Sequence, residues 1–207
     1  MTQTSVRYLA LGDSYTIGAD VDPSDSWPTQ LANLLRQRGH QISETVIVAG
    51  NGWTTSDLAI DLRQSNLIGT FDLVSLLIGV NNQYRGLAED NYRNEFRALL
   101  QQAIALTGGD SSRVLVLSIP DWSVTPFAQN FDVEVIAAEI DSFNIINRYE
   151  TEASGARYIN ITPESRQAKF NASLIAPDGL HPSGKMYASW ARLVLPAALA
   201  VLAGEKP

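Results

Sequence analysis

The chain of 207 residues has no cysteine. Disulfides, thiolate metal sites and a cysteine nucleophile are all excluded by that one absence. Histidine is scarce, with two residues, His40 and His181. Basic charge is thin, because 15 Lys and Arg stand against 22 Asp and Glu for a net charge of −7. No Lys/Arg cluster relieves this balance, which speaks against nucleic acid as a partner and against an anionic membrane surface. A run of ~18 apolar residues, the minimum for a membrane-spanning helix, is also missing. The most apolar tail, 193–203, is shorter and contains Pro196. At the start, Met1-Thr2-Gln3-Thr4-Ser5 leads into an apolar strand with no basic stretch and no apolar leader. No signal peptide is expected from that pattern. A cytoplasmic location follows, with a mature secreted form as the alternative.

What is present is an ordinary globular composition, 45% apolar and 18% charged. This length suits one domain, 1–207, with a sizeable core. Val6–Leu11 is the first predicted strand, and it runs into Gly12-Asp13-Ser14-Tyr15. The acidic loop Asp20, Asp22, Asp25 lacks the spaced oxygen ligands and closing Glu of a calcium loop, so it reads as solvated. Ser26 is placed to cap a helix with Pro28 in its first turn and Trp27, Leu31, Leu34 and Leu35 on one face. Residues 43–48 are a second strand ending at Gly50-Asn51-Gly52-Trp53, and Thr54-Thr55-Ser56 offers caps for a short helix. Residues 71–78 are a third strand, apolar enough for burial on both faces. It ends at Gly79-Val80-Asn81-Asn82, read as a loop.

A long helix follows, with Tyr92, Phe96, Leu99, Leu100 and Ala103 as its core stripe and Gly108-Gly109 as its stop. Residues 113–119 are strand four, and 121–130 an aromatic loop. Asp132 caps a helix that buries Ile136, Ile140 and Phe143 and ends at Gly155. Residues 156–161 are strand five. The last helix is expected from Pro182 to Leu202 with a kink or break at Pro196. Five alternations of strand and helix imply a three-layer α/β/α sandwich on a parallel sheet. Ligands of such sheets bind beyond the carboxyl ends of the strands, near the switch in strand order.

Three glycine-bearing turns fall at those ends: Gly12-Asp13-Ser14, Gly50-Asn51-Gly52 and Gly79-Val80-Asn81-Asn82. Asp178-Gly179-Leu180-His181 precedes the last helix on the same rim. A serine nucleophile needs an imidazole base, and the base needs a carboxylate to orient it. His40 belongs to the opposite end by topology, which leaves His181, with Asp178 three residues before it.

These four blocks, in this order, resemble the SGNH branch of the GDSL esterases and lipases, and the resemblance spans nearly the whole chain. It implies a flavodoxin-like five-stranded parallel sheet and a serine esterase with no metal and no cofactor. By that resemblance Ser14 is the nucleophile, with His181 and Asp178 completing a catalytic triad. The oxyanion hole falls to the amides of Ser14 and Gly52, with Gly50 a poorer match, and to the Asn81 side chain. Two positions depart from the common pattern. Asn82 stands where the family has Asp, and Tyr15 where many members have Leu. Asp13, Tyr15, Asn82, Tyr84, Arg85, Trp122 and Phe127 are further candidates to touch substrate. For Arg85 a solvated loop charge is the preferred reading over a headgroup contact, and for Trp122, Phe127 and Phe131 cover for the core is preferred over an acyl or sugar wall.

The expected partner is a small-molecule ester: a short-chain acyl ester, a lysophospholipid or a thioester. A carbohydrate O-acetyl group is the alternative substrate. A non-catalytic ligand-binding module is the competing class. The chain lacks the Gly-x-Gly-x-x-Gly and Gly-x-x-x-x-Gly-Lys signatures of nucleotide binders.

Overall fold

The computed structural model describes residues 5–207. The expected absence of a leader concerns residues 1–4 as well, and these lie outside the described part. Five strands, β1 (Val6–Asp13), β2 (Ile42–Gly50), β3 (Leu73–Leu77), β4 (Val114–Leu117) and β5 (Arg157–Ile159), form one sheet in the order β2-β1-β3-β4-β5. Every pairing is parallel. This is the flavodoxin-like order, whose switch point lies between β1 and β3. The two strands there show it in their sequences. β3 is buried along its whole length and β1 nearly so, whereas the edge strand β2 is largely half-exposed.

The helices are α1 (Ser14–Ile17), α2 (Trp27–Gln37), α3 (Thr55–Gln64), α4 (Val80–Tyr84), α5 (Glu89–Leu106), α6 (Val133–Ser154), α7 (Thr162–Ser165) and α8 (Gly184–Leu202). α2 packs on α8 over one face, and α3, α5 and α6 neighbour one another over the other. The expected stripe of α5 is buried residue for residue, as are Ile136, Ile140 and Phe143 of α6. Two caps read from sequence are made in full. Thr54 accepts from Asp57 N–H while the Asp57 carboxylate accepts from Thr54 N–H, a reciprocal arrangement that satisfies two orphan donors of the first turn. Asp132 accepts from Glu134 and Val135 N–H at the start of α6. Among the described residues no helix is long and apolar enough to cross a membrane.

Four local expectations need correction. Ser26 stands at the α2 N-cap, but its hydroxyl donates to Pro23 O and Thr29 Oγ1, so it makes no cap bond to a helix amide. Residues 80–84, read as loop, form the short helix α4. Pro182 is not the first helical residue. It pairs with Ile175 in an isolated antiparallel bridge, and α8 begins at Gly184 with Ser183 as its N-cap. α8 also continues through Pro196 without a break.

The sheet sets the rim in register. Gly12 lies beside Ala49 on one side and Leu77 on the other, so β1, β2 and β3 end together. Crowding there is severe, since a Cβ on residue 12 would sit 2.5 Å from Leu77 O. The turn after β3 is tight for a different reason. Gly79, N-cap of α4, has φ +132°, and a Cβ there would stand 2.7 Å from Ile119 Cδ1 and from the Tyr92 ring. A side chain is strained in that backbone region and overlaps the core as well. Gly79→Ala should therefore lose about 1–3 kcal/mol of stability, measured as a lower denaturant midpoint. An unchanged midpoint would show that α4 shifts without cost.

Candidate active site

β1 ends at Asp13, and the chain turns at once into α1 with Ser14 as its first residue. Asp13 makes the turn, because its Oδ1 accepts from Tyr15 N–H at 3.0 Å. Ser14 is almost buried, with 6% of its surface exposed. His181 reaches it from the other end of the chain, and Nε2 lies 2.9 Å from Ser14 Oγ. The segment carrying His181 is closed on itself by the 175–182 bridge, with Ala176 N–H donating to His181 O at 2.7 Å.

Within that closed loop Asp178 faces back. Its Oδ2 is 2.5 Å from His181 Nδ1, and its Oδ1 accepts from the amides of Leu180 and His181 at 2.9 and 3.0 Å. Burial pushes the Asp178 carboxyl up, but the bonds from the His181 ring and the two amides outweigh it and hold it below its ordinary value. An ionised Asp178 can only accept, so Nδ1 carries the proton and Nε2 is left to accept from Ser14 O–H. Tyr15 packs its ring 5.2 Å from the imidazole and is itself buried. Burial pushes its phenol up, with the Asp13 charge adding to the shift. His40 sits by Val6, at the opposite end of β1.

Gly52 and Asn81 stand across the same opening. Gly50 does not share it, because the Trp53 indole covers it so closely that a Cβ would be 2.2 Å from the ring. Asn81 lies in the first turn of α4 and donates one amide hydrogen to Trp53 O at 2.9 Å. Its second amide hydrogen remains for a ligand. Arg85, at the end of α4, donates to Gly52 O at 2.5 Å and stands 3.7 Å from the Asp57 carboxylate. It therefore steadies the Gly52 turn, and it does not line the cavity as expected. Asn82 is likewise a correction. It is buried at 1% exposure, accepting from Thr55 N–H at 3.0 Å and donating to Thr55 Oγ1 at 2.6 Å. An amide supplies both a donor and an acceptor there, which an ionised aspartate could not. Asp13 is the third, fully buried beneath Ser14 and away from any substrate.

The opening is a cavity of about 310 Å³, at the small end of ligand sites. Tyr84, Trp122 and Phe127 form an aromatic wall, and Leu180, Tyr15 and Val80 add to the lining. Tyr84, Trp122, Phe127 and Phe131 form one aromatic cluster, with ring centroids 5.2–6.3 Å apart. Ala19, Asp20 and Asn51 line the cavity as well. Sequence reading missed these three, together with Val80 and Leu180. The available signal was adjacency, since Asn51, Val80 and Leu180 sit inside the motifs themselves. Among the described residues no lysine or arginine lines the cavity. Among the described residues no group of three or more His, Asp or Glu side chains is placed to hold a metal ion.

A parallel 2-1-3-4-5 sheet with a hydrogen-bonded Ser–His–Asp chain on its carboxyl rim defines the class of flavodoxin-like α/β hydrolases. The chain belongs to the GDSL-like lipase/acylhydrolase family, which matches residues 10–188. It is thus a carboxylic ester hydrolase. No protein of curated function matches the chain. Among solved structures it is similar to LAE5, an alpha/beta hydrolase enzyme from the metagenome of Lake Arreo, Spain, at 16% identity and TM-score 0.72, covering 97% of this chain and 99% of that one. It is similar to Axe2, an acetylxylan esterase from Geobacillus stearothermophilus, at 18% identity and TM-score 0.72, covering 96% of each chain. The lipase/acylhydrolase from Enterococcus faecalis is similar too, at 18% identity and TM-score 0.70, covering 92% of this chain and 94% of that one.

Asp13 gives this site a pH signature separate from its chemistry. Burial raises its carboxyl to about 8 from an ordinary 3.8, with the Tyr15 amide acting the other way. Between those values the unfolded chain has released a proton that the folded chain retains, so the contribution to stability falls as pH rises and levels off above the folded value. Asp13→Asn should flatten the loss of stability between about pH 4 and 8, read as the difference between wild-type and variant denaturation midpoints across that range. Parallel curves would show that Asp13 titrates normally.

Proposed function

We propose that the protein hydrolyses uncharged carboxylic esters by acyl transfer through Ser14. The observation that carries this reading is the continuous chain from Ser14 Oγ through His181 to Asp178, opening on a cavity shared with Gly52 and Asn81. Ser14 Oγ attacks the ester carbonyl and forms the new C–O bond while its proton passes to His181 Nε2. The carbonyl oxygen becomes an oxyanion held by the amides of Ser14 and Gly52 and by the free Asn81 N–H. Collapse of that intermediate breaks the bond to the leaving alcohol, which takes the proton from His181. Water then attacks the acyl-enzyme with His181 again as base, releasing the acid and restoring Ser14. Asp178 stabilises the imidazolium in both halves without itself taking the proton.

The lining of the cavity narrows the substrate. Its carboxylates are Asp20 and Asp178, and Arg85, the nearest guanidinium in the sequence, is engaged with Gly52 and Asp57. An anionic headgroup therefore meets like charge and no counter-ion. The aromatic wall favours an apolar acyl chain. Asn51 and Asp20 in the lining support a second reading, an O-acetylated carbohydrate whose hydroxyls they would bind, in keeping with the acetylxylan esterase among the similar structures.

Two variants test the mechanism. Ser14→Ala should abolish turnover of p-nitrophenyl esters and block stoichiometric labelling by an active-site phosphonate. Asn81→Ala should lower kcat by ~10²–10³ at nearly constant KM, the usual loss for one oxyanion donor. Labelling of Ser14→Ala at the wild-type rate would place the nucleophile elsewhere. Comparing p-nitrophenyl esters of increasing acyl length with acetylated xylooligosaccharides decides between the two substrate readings. A rise in kcat/KM with acyl length favours the first, and a preference for the sugar acetates the second.

A further inference from the structure

We propose that Gln83 is a positioning residue that sets acyl selectivity by locking the Trp122 wall. This inference rests on reading the cavity as an acyl site. α4 is five residues long and presents side chains in two directions. Asn81 and Tyr84 line the cavity, whereas Gln83 is buried at 6% exposure. Gln83 Oε1 accepts from the Trp122 indole N–H at 2.8 Å, and its Nε2 donates to Glu139 Oε2 at 2.7 Å. The amide has one possible orientation, because an indole only donates and a carboxylate only accepts. The bond to Glu139 is charge-assisted, the stronger kind.

Trp122 is thereby tied to α6 twice. Its indole reaches Glu139 through Gln83. Its backbone is anchored by Asp121, which caps the turn Trp122–Val124 and whose carboxylate takes a 2.8 Å bond from Arg166. Arg166 also reaches Asp141, two residues beyond Glu139 on α6. The exposures show what this double tie supports. Trp122 is 3% exposed, while Tyr84, Phe127 and Phe131, packed against its ring, are 40–49% exposed. The buried indole is the hub on which three exposed rings lean, and Gln83 holds its one polar atom. An acetyl group has a single methyl to set against such a wall. An octanoyl chain has many carbons, each losing apolar contact with water as it packs there. Loosening the indole therefore penalises long acyl groups and leaves acetyl esters nearly untouched.

The experiment compares p-nitrophenyl acetate and octanoate with wild type, Gln83→Leu, Glu139→Gln and the double variant Gln83→Leu/Glu139→Leu. Gln83→Leu is expected to lower octanoate kcat/KM about tenfold through KM, the usual scale for lost pocket contacts, with acetate within about twofold. Glu139→Gln keeps an acceptor for Gln83 Nε2 and should retain the wild-type octanoate-to-acetate ratio. Glu139 is exposed and its carboxylate is hydrated without Gln83, so the double variant should stay folded with its ratio low, with only the link to the indole removed. That separates holding the indole from holding the fold, and it carries the test if Gln83→Leu alone does not fold. A wild-type ratio in the double variant, or a loss falling equally on kcat for both esters, overturns the proposal. Acetate turnover and its dependence on Ser14 report on the mechanism independently of this ratio.

Discussion

The register of β1 between β2 and β3 is the constraint on which the rest depends. Parallel pairing brings the carboxyl ends of all three strands to one edge, and Gly12 beside Ala49 and Leu77 makes those ends coincide. Residues that follow the three strands then have nowhere to go except one small volume. Ser14, Gly52 and Asn81 are neighbours for that reason, though they are far apart in the chain. The closeness of Gly12 to the Leu77 carbonyl excludes any other residue at that point of β1. A one-residue slip of β1 would move its buried side chains to the opposite face and carry Ser14 out of line with His181.

Around this edge, polar side chains have been given to architecture in preference to solvent. Asn82 fastens α4 to the start of α3, Arg85 fastens the end of α4 to the Gly52 turn, and Asn144 of α6 both accepts from and donates to the backbone of Ile119 just beyond β4. Each bond joins a rim segment to a helix or to another rim segment. Buried amides satisfied on both sides are rigid, because release leaves two groups unpaired. The cavity is therefore held by hydrogen bonds on its outside while presenting mostly rings and aliphatic groups on its inside.

Much of this was legible in the sequence. Alternating strands and helices gave the layer order, and the stripes of α5 and α6 were buried as their spacing implied. The Asp-x-x-His spacing anticipated a carboxylate facing its imidazole, since the loop between them is short. What escaped reading has a common physical cause. The tasks of Asn82, Arg85 and Gln83 are set by Thr55, Gly52 and Trp122, partners roughly 30 to 40 residues away that no local pattern names. α4 was missed because five residues carry too little periodicity to distinguish a helical turn from a loop. Pro182 was misplaced because proline fits an extended bridge as readily as a first helical turn.

The 167-residue separation of Ser14 and His181 has a consequence for how the protein comes into being. The Asp178–His181 pair is local, closed by its own bridge, and can form as soon as that stretch is made. Ser14 directly follows β1, which precedes the other four strands in sequence order. The contact between Ser14 and His181 is long-range instead, and the closed loop leads into α8, which packs on α2. Contacts this distant in sequence are among the slowest to form. The Ser14–His181 contact therefore reports closure of the whole fold, whereas the Asp178–His181 contact reports one local loop.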